Sequence, residues 1–351
     1  MAHSQSTLDA RFAVVEEIAA RDLNNLYLTS RFFTDAARYR AFCALYALMR
    51  VIDDRVDAIS DREALSSDAR RREHDAIDAW SGAFLDAVQG ADDRAPKIEA
   101  AEELLAEARF VDTPARVGDE RAPAILASAS RAMHEFSVPV VLWRNFFDAM
   151  HVDVDQSRFA TWDDFLLYTE GASVSPTTIY LALIVAERHE DGTYRSPSTF
   201  DLLCTGRHLG TFAYVGHILR DFAEDLLTGA RGLVYLARDD LARHDLDEAV
   251  LRADVARGAA GPRLRALARE LAARADVHLK AGRTLLAPVL DDLAPDRAYV
   301  LELIVTIYER VLAKIAAHDF DIAGDRHRLT MDEKQALAAD VAARVGYAAR
   351  D

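Results

Sequence analysis

The hydrophobic and polar positions of the chain repeat with the period of an α-helix over most of its length. Alternation of apolar and polar residues at period two is absent, and Ala, Leu, Arg, Glu and Asp dominate. The linkers are short, and no Ser/Gly-rich hinge divides the chain. We therefore expect an all-α protein with a flexible N-terminus at 1–8 and one domain at 9–351. The pattern predicts helices at 9–29, 35–59, 63–89, 97–110, 121–150, 162–189, 198–228, 238–256, 262–285, 294–318 and 331–349.

One predicted helix carries a polar stripe inside an apolar run. The segment 36–59 contains no Gly or Pro, and Tyr46, Arg50, Asp53 and Asp57 recur in it at steps of three or four. The last two place their Cβ atoms about 5–6 Å apart on one face. Burying unpaired charges is costly, and Mg²⁺ is the divalent cation that best suits oxygen-only ligands. A solvated end of an amphipathic helix explains the same residues, so both interpretations stay open here.

A second stripe of the same kind falls in the helix predicted at 198–228. Tyr214, His217, Asp221 and Asp225 recur at steps of three, four and four, and Arg220 lies beside them. Two helices with matching carboxylate pairs suggest a shared cavity that binds Mg²⁺ together with substrate phosphates. A surface ion-pair network is the alternative, and two matching stripes make it less attractive than one would.

Composition narrows the classes of partner. The formal charge of −16 argues against binding to nucleic acid, which requires basic surfaces. Cys43 and Cys204 both lie in apolar helical segments, which is typical of packing in a reduced compartment. Neither an apolar leader nor a run of 18 apolar residues is present. We expect a cytoplasmic protein, and peripheral contact with a membrane stays open.

The motifs resemble those of the squalene/phytoene synthase family, the head-to-head trans-prenyl synthases. Residues Tyr46–Asp57 resemble its first Asp-rich motif, and Ile218–Asp225 resemble its second. The segments that follow the second motif, and those of the C-terminal part, are also similar in order and spacing: Gly232–Leu236, Asp239–Leu241, Tyr308–Ile315, Asp319–Gly324 and Arg326–Arg328.

The resemblance implies an isoprenoid-synthase helical bundle around a central apolar cavity. It implies a prenyltransferase that ionises farnesyl or geranylgeranyl diphosphate with Mg²⁺ and joins two chains head-to-head into a squalene- or phytoene-like product. Carried over to this sequence, it assigns metal binding to Asp53, Asp57, Asp221, Asp225 and the site of His217. It assigns diphosphate contacts to Arg50 and Arg220, and places near the reacting carbons Tyr46, Tyr168 and Tyr235.

Several positions depart from the family pattern. His217 stands where the family usually has Asn, and Tyr214 stands where Gln is common. Leu233 stands where an Arg usually follows the loop glycine. Asn24–Tyr27 replaces a Ser-rich stretch. His217 could bind the metal, act as a base or only pack. The departures leave two alternatives: a terpene-synthase-like enzyme that acts on one prenyl chain, and a non-catalytic relative.

Two further segments carry local expectations. Pro176 lies inside a helical pattern, so we expect a kink there that frees backbone carbonyls. Those carbonyls, with Ser173 and Ser175, could stabilise positive charge, although a kink that only shapes packing is the simpler interpretation. The segment His151–Asp155 has acidic and imidazole groups at a predicted helix end, and we expect it to be solvated.

Overall fold

Helices form nearly all of the regular structure. The computed structural model describes residues 2–22, 24–59, 62, 64–92, 110, 112–155, 158–227, 235–324 and 327–348. The predicted all-α class is confirmed. The helices group into two compact units: residues 1–59, 65–154 and 179–202 form the first, and 60–64, 155–178 and 203–351 the second. The single domain at 9–351 stays a prediction. In the described part of the chain, no helix is both long and apolar enough to cross a lipid bilayer.

The first unit is built around a buried helix, α3. Asp35 caps its start by accepting a hydrogen bond from the backbone N–H of Ala37 at 3.0 Å. Helix α3 then packs against α1 and α6. Its buried apolar positions hold the polar stripe at a fixed orientation within this unit. The helices that begin in the unit are α1 Ala2–Ala20, α2 Asn25–Ser30, α3 Ala36–Asp57, α4 Ser67–Asp92, α5 Thr113–Val117, α6 Ala122–Phe136 and α7 Val140–Asp155.

Arg38 ties α3 to a neighbouring helix end in the same unit. The side chain is only 4% exposed, and its guanidinium donates to the backbone carbonyls of Leu183 and, at 2.9 Å, Ala186. It also lies 5.1 Å from the ring centre of Tyr194. Carbonyls at a helix C-terminus lack partners within the helix, so a buried cation stabilises them.

The second unit contains most of α10, Leu202–Leu227, the helix that carries the second acidic stripe. Helix α14 packs against α13 and α15 in this unit. Its elements, together with α9, which continues into the first unit, are α8 Trp162–Thr169, a π-helix Glu170–Val174, α9 Ser175–Val185, α10 Leu202–Leu227, α11 Arg238–Arg243, α12 Glu248–Arg257, α13 Pro262–Leu290, α14 Pro295–Ala317 and α15 Met331–Val345.

The backbone before Pro176 forms the π-helix where a kink with free carbonyls was predicted. The carbonyl of Glu170 accepts the backbone N–H of Ser175 and also its hydroxyl, at 2.8 Å. Ser173 donates to the carbonyl of Gly210 at 2.9 Å. Both serine hydroxyls thus donate to backbone carbonyls, and the carbonyl of Glu170 has partners in this segment. A proline without an N–H is accommodated by a local change of hydrogen-bond register.

Close backbone contact between α10 and the π-helix depends on glycine. A Cβ atom on Gly210 would lie 2.6 Å from Cα of Val174. A Cβ atom on Gly206 would lie 2.7 Å from Cβ of Thr178. The absence of side chains at these positions lets α10 approach the π-helix closely at Val174 and α9 closely at Thr178.

Several predicted boundaries are wrong. The helix predicted at 9–29 is two helices, α1 and α2, and α1 already begins at Ala2, within the segment expected to be flexible. Ser137, with φ of 48°, ends α6 and divides the helix predicted at 121–150. The segment 238–256 is likewise divided, and the helix predicted at 162–189 ends at Val185 before a short antiparallel pair, Glu187–Arg188 with Tyr194–Arg195. The helix predicted at 97–110 falls almost wholly outside the described residues.

Candidate functional site

Carboxylates surround Arg50 on α3, the helix that carries the first acidic stripe. Its guanidinium lies 3.2 Å from Asp53, 2.7 Å from Asp54 and 3.2 Å from Asp22. Arg21 also pairs with Asp54. Arg50 was predicted to contact diphosphate, which stays a prediction; its pairing with these carboxylates, including Asp54 and Asp22, was not predicted.

One donor of Arg50 lacks a partner in the described part of the chain. Its Nε atom is buried and finds no hydrogen-bond acceptor among the residues that the structure describes. A buried donor without an acceptor is costly, and such groups are often completed by a ligand or an ion. An anionic oxygen of a substrate would supply that acceptor.

Asp53 lies where ionisation is unfavourable. Desolvation and then the charge of Asp57 raise the pKa of its carboxyl group, and Arg50 opposes them. Asp153 adds to the repulsion, and its side chain is only 7% exposed. The segment His151–Asp155 therefore belongs to α7 and carries a buried acid, which corrects the expectation of a solvated end. A divalent cation here would offset the repulsion between the carboxylates.

Tyr46 is held within the same unit. The side-chain amide of Asn24 donates to its hydroxyl, and its ring stacks on Phe42 with centres 5.4 Å apart. Asn24 also caps α2 by accepting from the backbone N–H of Tyr27 at 2.9 Å. The residues that replace the usual Ser-rich stretch thus help to position a predicted site residue.

On α10, the helix that carries the second acidic stripe, both carboxylate oxygens of Asp221 have partners. Arg220 donates from Nε to Oδ1 at 2.9 Å and from Nη2 to Oδ2, and Nε2 of His217 lies 3.0 Å from Oδ2. Desolvation would raise the pKa of Asp221, but the hydrogen bonds from Arg220 and His217 outweigh it and hold that pKa well below the usual range. Asp221 therefore stays ionised, and Asp225 lies half-buried one turn further on.

Arg328 is a member of this cluster that the sequence reading did not assign. Its guanidinium lies 3.3 Å from Asp221 and also pairs with Glu224. The side chain is 59% exposed, so much of the guanidinium remains accessible to a ligand. Of the motif segments quoted above, Arg326 and 232–234 lie outside the described residues.

Three tyrosines gather beside the second acidic helix. The hydroxyl of Tyr214 donates to that of Tyr168 at 3.2 Å, and the two ring centres are 6.0 Å apart. The ring of Tyr235 lies 6.3 Å from each of them. Within the second unit, Tyr168 and Tyr235 thus lie next to Tyr214 on the helix that carries His217, and their place at a reaction site stays a prediction.

The carboxylate pairs fit magnesium in their chemistry. No group of three or more His, Cys, Asp or Glu side chains among the described residues could hold a metal ion. Magnesium, however, needs only one or two protein carboxylates and completes its shell with water and phosphate oxygens. The raised pKa of Asp53 and the unpartnered donor of Arg50 agree with a bound cation and an anionic ligand. On α10, a metal would compete with His217 and Arg220 for the carboxylate of Asp221.

Comparison with known proteins decides the family. A sequence model described as squalene/phytoene synthase matches residues 20–335. The chain belongs to this family. It is a prenyltransferase of the squalene/phytoene synthase type, whose general activity is head-to-head coupling of prenyl chains. Direct comparison with curated protein sequences gives no match.

Solved structures share the fold of this squalene/phytoene synthase family member. A dehydrosqualene synthase in complex with ligand is 18% identical with a TM-score of 0.68, covering 98% of this chain and all of that one. Squalene synthase HpnC from Alicyclobacillus acidocaldarius is 19% identical with a TM-score of 0.63, over 89% and 95% of the two chains. YisP from Bacillus subtilis subsp. subtilis strain 168 is 12% identical with a TM-score of 0.56, over 96% and 98%. These identities support the isoprenoid-synthase fold alone.

Proposed function

We propose that the chain ionises an allylic C15 or C20 prenyl diphosphate with the help of Mg²⁺ and joins two such molecules head-to-head. The observation that carries the proposal is the pairing of carboxylates with guanidinium groups on both α3 and α10. Each cluster offers oxygen ligands for a cation and charge-assisted donors for phosphate oxygens within one helix face.

On α3, Asp53 and Asp57 would hold the metal. The repulsion that raises the pKa of Asp53 would then be relieved by the cation. Arg50 already makes three acidic contacts through its terminal nitrogens, and its buried Nε would donate to a diphosphate oxygen. Bound magnesium neutralises charge on the diphosphate and so makes it a better leaving group.

On α10, the cationic side chains would act directly on the leaving group. Arg220 is held by Asp221, so its orientation is fixed before substrate binds. Preorganised positive charge stabilises negative charge that develops in the transition state without a reorganisation cost. Asp221 and Asp225 would supply metal ligands on α10. It stays a prediction that both clusters hold one diphosphate group.

The aromatic residues of the second unit would serve the organic part of the substrate. Tyr168 is 6% exposed and is surrounded by other rings, including Phe159 at 4.8 Å. A carbocation that forms beside such rings is kept from water, which would otherwise convert it to an alcohol.

The test is the product formed by purified protein with Mg²⁺ and each of the C10, C15 and C20 diphosphates. We expect diphosphate release and a coupled hydrocarbon from one of the two longer substrates, and loss of both in Asp53→Asn and Asp221→Asn. Asp276→Asn is the matched control, because Asp276 is half-exposed and pairs with Lys280 of its own helix. Release of diphosphate without coupling would favour an enzyme that acts on a single prenyl chain. No release from any of the three would contradict the proposal.

A further inference from the structure

Tyr214 occupies a position that the proposed function has not used. It lies on α10 one turn before His217 and two turns before Asp221, on the face that carries the charged groups. The family resemblance leads us to expect glutamine here, and this chain has an aromatic ring instead. The ring of His217 lies 6.3 Å from it in an edge-to-face arrangement.

The ring is both fixed and accessible. It stacks on the buried Phe165 at 5.7 Å with an interplanar angle of 14°. Its hydroxyl donates to Tyr168 at 3.2 Å, which fixes the direction of the side chain. Tyr214 and Tyr235 are nevertheless only half-buried, unlike Phe165, so part of their surface can contact a ligand.

We propose that Tyr214 is a catalytic residue whose ring stabilises the allylic cation, an inference that rests on the proposed function. On ionisation, the bond between the allylic carbon and the diphosphate oxygen breaks, and both electrons leave with the oxygen. The positive charge that remains is spread over the allylic carbons. The electron-rich face of an aromatic ring attracts a nearby cation, and the rings of Tyr168, Tyr214 and Tyr235 lie within 6.3 Å of one another.

The ring, and not the hydroxyl, is expected to carry the effect. The hydroxyl is engaged with Tyr168, and its loss removes one hydrogen bond between neutral groups. Tyr214→Phe should therefore keep most of the activity. Tyr214→Leu removes the aromatic face and should lower kcat for diphosphate release by about 5- to 30-fold with little change in KM. The matched control is Tyr347→Leu, which removes a ring stacked on Tyr299 elsewhere in the second unit.

A binding measurement separates charge stabilisation from packing. The probes are a protonated prenyl amine, which carries positive charge near the allylic position, and an uncharged prenyl alcohol of the same length, each with inorganic pyrophosphate and Mg²⁺. We expect Tyr214→Leu to weaken binding of the amine about 5- to 30-fold and that of the alcohol much less. Tyr214→Phe should bind both as the wild type does.

The outcomes distinguish this inference from the function on which it rests. Wild-type kcat in Tyr214→Leu, a change confined to KM, or equal weakening of both probes would overturn the role of Tyr214 while diphosphate release by the wild type upholds the enzyme. A wild-type protein that releases no diphosphate would overturn the proposed function and this inference with it.

Discussion

Nε2 of His217 lies 3.0 Å from Oδ2 of Asp221, one turn further along α10. The imidazole therefore orients the carboxylate together with Arg220, which donates to both of its oxygens. His217, at the position where the family resemblance leads us to expect asparagine, thus contacts its neighbour on the same helix. Direct binding of a metal through Nε2 would require this contact to open.

His217→Asn tests how much the contact matters. Arg220 and Arg328 still hold Asp221 in the variant, and one hydrogen bond is weakened or lost. We expect diphosphate release to fall by no more than about tenfold, the factor that corresponds to one such bond. The measurement is the initial rate of release, together with analysis of the hydrocarbon products.

The two other roles of His217 give different results. A base that ends the path of the cation would leave release intact in His217→Asn but change the product mixture. Loss of release as complete as in Asp221→Asn would show that the imidazole itself is essential to the metal site.

Asp53→Asn should abolish diphosphate release and leave the fold intact. The raised pKa of Asp53, caused by desolvation and then by Asp57, means that the folded state disfavours its charged form. A group whose pKa is raised on folding contributes stability below its unfolded pKa of about 4 and loses it as pH rises through the folded value. The asparagine cannot ionise, so the variant does not suffer this loss.

The check is thermal unfolding without magnesium across pH. The difference in Tm between Asp53→Asn and the wild type should increase in favour of the variant as pH rises from about 4 through the raised pKa. A variant that becomes less stable than the wild type at pH 8 would contradict the repulsion described for α3.

Helical periodicity was sufficient to find the two acidic stripes. Asp53 and Asp57, like Asp221 and Asp225, are four residues apart, and a spacing of one turn places side chains on one face in any regular helix. The all-α class follows from the same periodicity. Where α6 ends was harder to predict, because Ser137 adopts a positive φ without a glycine to signal it.

Contacts between distant segments had no such signal. Arg328 reaches Asp221 across 107 positions, and Tyr214 reaches Tyr168 across 46. The π-helix was also missed, because a proline in a helical pattern predicts a disturbance but does not specify its form. Local patterns therefore located the acids, while the residues that hold them in place depend on tertiary packing.

Arg328→Gln should weaken substrate binding with little effect on stability. Its side chain is 59% exposed, and buried Asp221 keeps its contacts with Arg220 and His217 in the variant. The pair of Arg328 with exposed Glu224 contributes little to folding. A guanidinium that reaches a diphosphate makes a charge-assisted hydrogen bond, so we expect KM to rise about tenfold. Arg269→Gln is the matched control, because Arg269 is similarly exposed and pairs with Asp319. An unchanged KM, or a KM that rises equally in the control, would exclude a role for Arg328 in binding.

Gly210→Ala should destabilise the protein through one backbone contact. An added Cβ atom would lie 2.6 Å from Cα of Val174, and backbone cannot move away as the end of a side chain can. We expect the free energy of unfolding to fall by about 1–3 kcal/mol, as overpacking in a core does. Because the clash lies where α10 meets the π-helix that follows α8, Tyr214 and Tyr168 should separate, and diphosphate release should fall as well.

Gly82→Ala is the control that isolates the clash. Gly82 also lies within a helix, but no atom lies within 4 Å of the position of its missing Cβ. Alanine has the higher helix propensity, so this variant should gain about 0.5–1 kcal/mol, measured by urea denaturation. The same gain in propensity applies to Gly210→Ala, so a net loss there means that the contact with Val174 outweighs it. If both variants are stabilised, α10 and the π-helix do not lie as close as described, and the paired tyrosine hydroxyls lose their structural basis.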